Sequence, residues 1–351
     1  MNSPRLNATL ELIRDLSDDN LVRQVEEHWA SRTKPRHSLG KLESLLLHFA
    51  LIQGVPIPRL ERKAMFVFCA DHGVTQEGVS AFPSEVTAQM VANFLKGGAA
   101  INVLCRQFGI EPVIVDMGVR GEAQPGAVNL KIAEGTCNFA KGPAMSREQA
   151  IEALETGIEL AGEAARQYDV AGIGEMGIGN TTSAAAIFSA CSGLDPEETA
   201  GPGTGLDPAG LAHKRMVIRA ALQLHRSATD PISILAAFGG FEIGAMAGFL
   251  LGAAAMRLPV VVDGFIASSA ALIAKSLAPA ALDAAIFSHC SAEPGHAAML
   301  DFLGVSPYLN LGLRLGEGTG AALCINLLES SVRLYREMAT FDSAAVSRES
   351  H

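Results

Sequence analysis

AMFVFCA, residues 64–70, followed at once by Asp71-His72-Gly73, is the stretch that decides the fold. Seven apolar residues stand in a row, without the apolar–polar alternation of a strand that has one wet face. Such a run, closed by a polar glycine cluster, fits a strand of a parallel sheet covered on both faces. Four more runs share this character: 112–117 (PVIVDM), 170–174 (VAGIG), 259–263 (PVVVD) and 284–288 (AAIFS). Between them lie segments with helical spacing. Residues 146–167 are the clearest, with Ser146 and Gln149 at capping-box spacing and Ile151, Leu154, Ile158 and Ala161 along one face. Residues 211–225, 243–257 and 265–277 are further helices. Strands alternating with helices predict an α/β fold with a mainly parallel sheet. The ends of the chain, about 1–30 and 325–351, are charged and without strand signals, and are expected to pair as a small helical unit.

Composition narrows the function classes. A net charge of −10 argues against a nucleic-acid surface, which needs a basic stripe. The first residues, MNSPRLNATLELIRDL, hold no apolar signal core, and the longest uncharged apolar run, 243–256, is too short to span a bilayer. A soluble, cytoplasmic protein with no membrane partner is expected. Six cysteines are scattered without a C-x-x-C pair, so reduced thiols are expected rather than a disulfide framework.

In parallel sheets ligands bind beyond the carboxyl ends of the strands, and here the polar, glycine-rich clusters follow the strands. LGEGTG, 315–320, sets Glu317 between glycines where an apolar helix (321–328) begins. Unpaired amides at a helix start favour negative charge, so a Glu there is expected to stay ionised and able to accept a proton. The plainer alternative is that Glu317 only satisfies the helix terminus.

GIGEMG, 172–177, formally matches G-x-G-x-x-G, but its first two glycines fall inside the strand and Glu175 occupies the place of a pyrophosphate. Extended to Gly177, Gly179, Asn180 and Thr181, the segment reads as a turn that binds one monophosphate, with Asn180 or Thr181 capping the next helix. An ordinary tight strand–helix turn is the competing reading. GPGTGLD, 201–207, is another glycine turn, and Lys214 lies about two helical turns beyond it. Asp71-His72 either shuttle protons, bind metal or hold a loop. The 288–296 cluster (SHCSAEPGH) lacks metal-ligand spacing, so no metal is expected.

Together these segments resemble the nicotinate-nucleotide–dimethylbenzimidazole phosphoribosyltransferase family. The matching stretches are 33–43 (TKPRHSLGKLE), 69–87 (CADHGVTQEGVSAFPSEVT), 142–150 (GPAMSREQA), 174–182 (GEMGIGNTT), 239–248 (GGFEIGAMAG), 261–272 (VVDGFIASSAAL), 288–295 (SHCSAEPG) and 315–323 (LGEGTGAAL), in family order over nearly the whole chain. The resemblance implies transfer of 5-phosphoribosyl from nicotinate mononucleotide to 5,6-dimethylbenzimidazole, with inversion at the anomeric carbon. The products are nicotinate and α-ribazole 5′-phosphate, for the lower ligand of cobalamin. It implies a Rossmann-like catalytic domain over 31–324, a small helical domain from 1–30 and 325–351, a homodimer, and no cofactor or metal.

By the same resemblance Glu317 is the general base, and Glu175 lines the cavity, as cation stabiliser or as structure. Phe82, Met90, Met176, Leu315 and Gly316 surround the base as an adaptable apolar wall. Gly177, Gly179, Asn180, Thr181, Gly203, Lys214 and Ser291 bind phosphate or the nicotinate carboxylate, with the division between turns left open. One departure stands out: in KPRHSLG, His37 occupies the place of the family's first glycine. Two other classes remain at this stage, a nicotinamide-dinucleotide oxidoreductase resting on the 172–177 glycines and a non-catalytic nucleotide-binding protein. The carboxylate at 317 argues against the latter.

Overall fold

Six strands form one parallel sheet in the order β3-β2-β1-β4-β5-β6 in the computed structural model, which describes residues 3–347. They are β1 Lys63–Ala70, β2 Glu111–Gly118, β3 Val128–Asn129, β4 Val170–Met176, β5 Val260–Val262 and β6 Ala285–Phe287. All pairings are parallel. Every residue of β1, β5 and β6 is buried, which is why these runs show no alternation. Edge strand β3 was not expected: its two exposed residues pair only with Val115 and Asp116.

Strand order reverses between β1, whose next neighbour in sequence is β2, and β4, which continues the other way. A crevice therefore opens beyond the carboxyl ends of β1 and β4, the place where such sheets bind ligands. β4 runs two residues beyond the expected end at Gly174, so Gly172, Gly174 and Glu175 are strand residues. A Cβ on Gly174 would overlap the backbone of Glu317 and Gly318. The glycines of 172–177 thus admit another segment of this chain rather than a pyrophosphate, and the dinucleotide reading loses its footing.

The helices follow the expected spacing with shifted ends. Arg147–Gln167 begins in the predicted capping box: Ser146 Oγ accepts the Gln149 N–H at 3.2 Å and Gln149 Oε1 accepts the Ser146 N–H at 3.0 Å. The expected 211–225 helix is Pro208–Leu224, started earlier by Asp207, whose Oδ1 accepts the Gly210 N–H at 2.7 Å. Phe241–Met256 and Phe265–Leu277 cover the other two. No helix among the described residues is long and apolar enough to cross a membrane.

Toward the ends of the chain, the helix expected over 321–328 runs from Thr319 to Glu337, and 338–347 contain no helix. Its outer half meets the Asp19–Ser31 and Lys41–Gln53 helices. The Trp29 and Tyr335 rings lie edge-on at 4.9 Å, and Ser331 Oγ donates to Leu42 O at 2.6 Å. The Pro4–Leu12 helix instead packs on the helices flanking the sheet, and Ser3 Oγ donates to Glu155 Oε1 at 2.5 Å. Residues 1–2 and 348–351 of the expected helical unit lie outside the described residues.

Candidate active site

A cleft of about 680 Å³ opens beyond the carboxyl ends of β4, β5 and β6. It is lined by Glu175 and Met176 at the end of β4, Gly177, Asn180 and Thr181 after it, Phe82 and Met90 after β1, Ser291 after β6, Gly203, and the 315–317 turn. Two of the expected site residues are absent from its wall. Gly179 lies behind it, at φ +96°, packed on His72 and Thr75. Lys214 is fully buried beneath it.

The apolar half of the cleft is Phe82, Met90, Met176 and Leu315. Phe82 and Leu315 are 51% and 57% exposed, an unusual state for large apolar side chains set around one cavity. A flat aromatic ligand laid there removes that surface from water.

The polar half centres on the Asn180–Ser192 helix. Neither Asn180 nor Thr181 caps it: the N-cap is Gly179, and no side chain bonds there. Asn180 instead donates its side-chain amide to Glu175 Oε2. Thr181 Oγ1 accepts from Lys214 Nζ at 3.0 Å, and Gly201 O accepts from the same ammonium at 3.1 Å. Burial pulls the Lys214 ammonium down to about 8, against the pull of Glu293. Gly203 does not offer a free amide, because its N–H points to Glu293 Oε1 at 3.3 Å. Arg314 lines the cleft beside it, donating to Gly203 O at 3.4 Å. Arg314 and Glu293 were missed from sequence: Arg314 stands between Gly312 and Gly316 without a motif of its own, and Glu293 reads only as a member of the 288–296 cluster.

Glu317 does not satisfy the helix terminus, and its surroundings do not favour its charge. The Thr319–Glu337 helix starts at Gly318 without a local cap, and its amides go to Asp263. Asp263 Oδ2 accepts the Gly318 N–H at 3.1 Å and Oδ1 accepts the Ala321 N–H at 3.0 Å. Glu317 itself adopts φ +62°, a left-handed conformation rare for a side-chain-bearing residue. Its carboxyl is buried, and Oε2 finds no hydrogen-bond partner among the described residues. Burial outweighs the Ile101 N–H that the carboxyl accepts and, with the nearby Asp263 charge, holds the acid above the usual carboxylate range, the reverse of the expected helix-start stabilisation. Glu175 is pushed well above its ordinary value by burial and by the charges of Asp263 and Glu242. That favours the neutral acid and weakens its expected part as a stabilising charge.

The other clusters are structural. Asp71 holds a loop, Oδ1 accepting from Ser84 Oγ at 2.9 Å and Oδ2 from the Arg120 N–H at 2.8 Å. His72 is wholly buried between Glu242 Oε1 at 2.6 Å and Ser183 Oγ at 2.9 Å. His289 reaches the cleft wall, and burial brings its imidazole down to about 4, so it is neutral near pH 7.

This fold recurs in known proteins. A family model described as phosphoribosyltransferase matches residues 15–346. The chain belongs to the nicotinate-nucleotide–dimethylbenzimidazole phosphoribosyltransferase family. The relative of that name from Cupriavidus necator is 53% identical over 333 residues, 94% of this chain and 96% of the relative. The one from Desulforudis audaxviator is 51% identical over 348 residues, 98% of each chain. The crystal structure of CobT from Thermus thermophilus superposes with a TM-score of 0.89 at 44% identity, covering 94% of this chain and all of that one. Membership makes this phosphoribosyltransferase a pentosyl-transferring enzyme and carries the Rossmann-like parallel-sheet architecture with it.

Proposed function

We propose that the enzyme transfers 5-phosphoribosyl from nicotinate mononucleotide to 5,6-dimethylbenzimidazole, with inversion at C1′, to make the lower ligand of cobalamin. The observation that carries the proposal is a cleft with one apolar wall, one cation-backed polar wall, and between them a buried carboxylate with one oxygen left without a partner. The relatives' names supply the substrates. The benzimidazole lies against Phe82, Met90, Met176, Leu315 and Gly316. The nucleotide phosphate lies toward Thr181, Gly203 and Ser291, above Lys214, with Gly177 and Asn180 lining the sugar side.

A ring nitrogen of the base attacks C1′ with its lone pair as the C1′–N bond to nicotinate breaks, and nicotinate leaves with that bond's electrons. The new ring cation loses its N–H proton to the Glu317 carboxylate. A raised pKa suits Glu317 to this work, because a base poised closer to neutrality takes a proton more readily in the transition state. Glu175, tied to Asn180, shapes the floor under the sugar.

The proposal includes a homodimer working in the cytoplasm. It also includes a division of the expected kind, a catalytic unit and a small helical unit, the latter narrowed to the Asp19–Ser31 helix and the outer half of Thr319–Glu337 and supported by the packing of Trp29 on Tyr335, with the Pro4–Leu12 helix joining the catalytic unit. Light scattering reads the oligomeric state, and limited proteolysis reads the division.

The decisive experiment incubates purified enzyme with nicotinate mononucleotide and 5,6-dimethylbenzimidazole and follows both products by chromatography. Equal amounts of nicotinate and α-ribotide are expected. Replacing Glu317 by Gln is expected to lower kcat by ~10²-fold or more while nucleotide binding persists. Binding of the nucleotide without turnover of this base would move the enzyme to another acceptor.

A further inference from the structure

We propose that Asp263 is a positioning residue for Glu317, holding the 316–318 turn in the shape that aims the carboxylate into the cleft; this rests on the reading of Glu317 as the base. The helix after that turn brings no cap of its own, and Gly318 at its N-cap has no side chain to offer. The cap arrives from the end of β5, 55 residues upstream. There the buried Asp263 carboxylate accepts the Gly318 and Ala321 N–H groups at 3.1 and 3.0 Å, and the nearby Gly320 and Gly264 amides also favour its charge. One carboxylate thus gathers the amides on both sides of the start of the helix. Its own backbone is fixed to the sheet, the Asp263 N–H donating to Ile173 O of β4 at 3.2 Å.

A left-handed residue keeps its conformation only where its surroundings over-determine it. At Glu317 several attachments do this: its N–H meets Glu175 O at 3.3 Å, the Thr319 N–H and hydroxyl close the turn on Gly316 O at 3.1 and 2.9 Å, the Ile101 N–H meets its carboxyl, and the next N–H, that of Gly318, is held by Asp263. Only the last ties the turn to the end of β5, and without it the turn shifts and carries the Glu317 side chain out of line with the base. A misplacement of about 1 Å at a reacting group costs on the order of 10² in rate.

Asp263 also acts on Glu317 through charge. The groups that face the pair are Glu175 from β4, His289 from the end of β6, neutral near pH 7 and 3.8 Å from Asp263 Oδ1, and Glu242 behind Glu175. Burial lifts the Asp263 acid to about 7, and its charge in turn raises Glu317. That charge is present above about pH 7, and in the acidic range below it Asp263 serves through its hydrogen bonds alone.

The test is a double-mutant cycle with D263N and E317Q, read near pH 8 by kcat and by KM for nicotinate mononucleotide. D263N is expected to lower kcat ~10–10²-fold with KM for the nucleotide within roughly threefold. In the E317Q background D263N is expected to add no further loss, because the base it aims is gone. Full kcat in folded D263N overturns the proposal, as does a loss that simply adds to that of E317Q. E317Q retaining full rate defeats the assignment of the base instead, a different result. Amide exchange of Gly318 and Ala321 in the unaltered enzyme tests the anchor without any variant. Strong protection is expected, and exchange at the rate of an exposed turn overturns it.

Discussion

Lys214 Nζ stands 3.0 Å from Thr181 Oγ1, an ammonium wholly enclosed by protein yet separated from the cleft by a single hydroxyl. The charge is placed to act on an anion through Thr181, whose hydroxyl accepts from lysine and keeps its own proton to donate forward. Replacing Lys214 by Met is expected to weaken nucleotide use by roughly 1.5–3 kcal/mol, a factor of about 10–150 carried mainly in KM. Steady-state kinetics with varied mononucleotide reads it, and an effect confined to kcat would count against the placement of the phosphate.

The same lysine sets a pH dependence. Burial brings it down to about 8, so in the free enzyme its charge is present below that pH and lost above. Neighbouring Glu293 pulls the other way and Arg215 adds to the fall. The expected outcome is a decline of kcat/KM for the nucleotide as pH rises through about 8. Met at 214 removes that limb while leaving the acidic one in place. A profile that stays flat well into the alkaline range in the unaltered enzyme contradicts the account.

Much of this site was legible because its parts announce themselves locally. Runs such as 64–70 are apolar without interruption because both faces of the sheet are covered, and glycines mark the turns that follow the strands. What stayed hidden depends on chain segments meeting across long separations. Asp263 looks like any strand-end Asp until the 316–321 segment folds back onto it, and only that meeting shows why Glu317 is not the cap. β3 carries two exposed residues and no pattern at all. The pull on Glu317 was misjudged because its sequence neighbours suggest free amides, whereas in space those amides are taken by another carboxylate.

The base wall predicts graded tolerance. Phe82, Met90, Met176 and Leu315 offer contact but no side-chain hydrogen-bond group that a bare benzimidazole would leave unpaired. Unsubstituted benzimidazole is expected to turn over with a KM about 10-fold higher, from the loss of two methyl groups at ~0.8 kcal/mol each. Phe82→Ala is expected to raise KM for either base by roughly 2–10-fold, the range of one aromatic contact, and to spare KM for the nucleotide. Competition between the two bases in one reaction checks both, and strict rejection of benzimidazole would sink the tolerant pocket.

His37 provides a stability test away from the chemistry. It holds φ +58° in the stretch where the resemblance has glycine, and its imidazole is largely exposed. A left-handed side-chain-bearing residue costs ~1–2 kcal/mol, offset in part by the extra freedom glycine gives the unfolded chain. His37→Gly is therefore expected to stabilise the fold by roughly 0.5–1 kcal/mol with the urea m-value unchanged. Equilibrium denaturation measures it directly. A loss of stability would mean that the weak 4.0 Å approach of His37 Nδ1 to Glu43 contributes more than its exposure suggests.

Gly174 gives the sharpest structural prediction, because it separates packing from nucleotide binding. Its Cα faces the backbone of Glu317 and Gly318, leaving no space for a methyl group. Since the obstacle is main chain anchored to Asp263 and Glu175, it cannot swing aside as a flexible side chain can. Gly174→Ala is expected to destabilise the protein by ~1–3 kcal/mol through overpacking, and to cut kcat more than it raises KM for the nucleotide. The displaced element is the base-bearing turn, while the phosphate wall at Thr181 and Gly203 stands apart from it. Thermal unfolding and steady-state kinetics on the same preparation distinguish the two effects. A variant that kept its kcat and lost only nucleotide affinity would return Gly174 to the role of a phosphate-turn glycine.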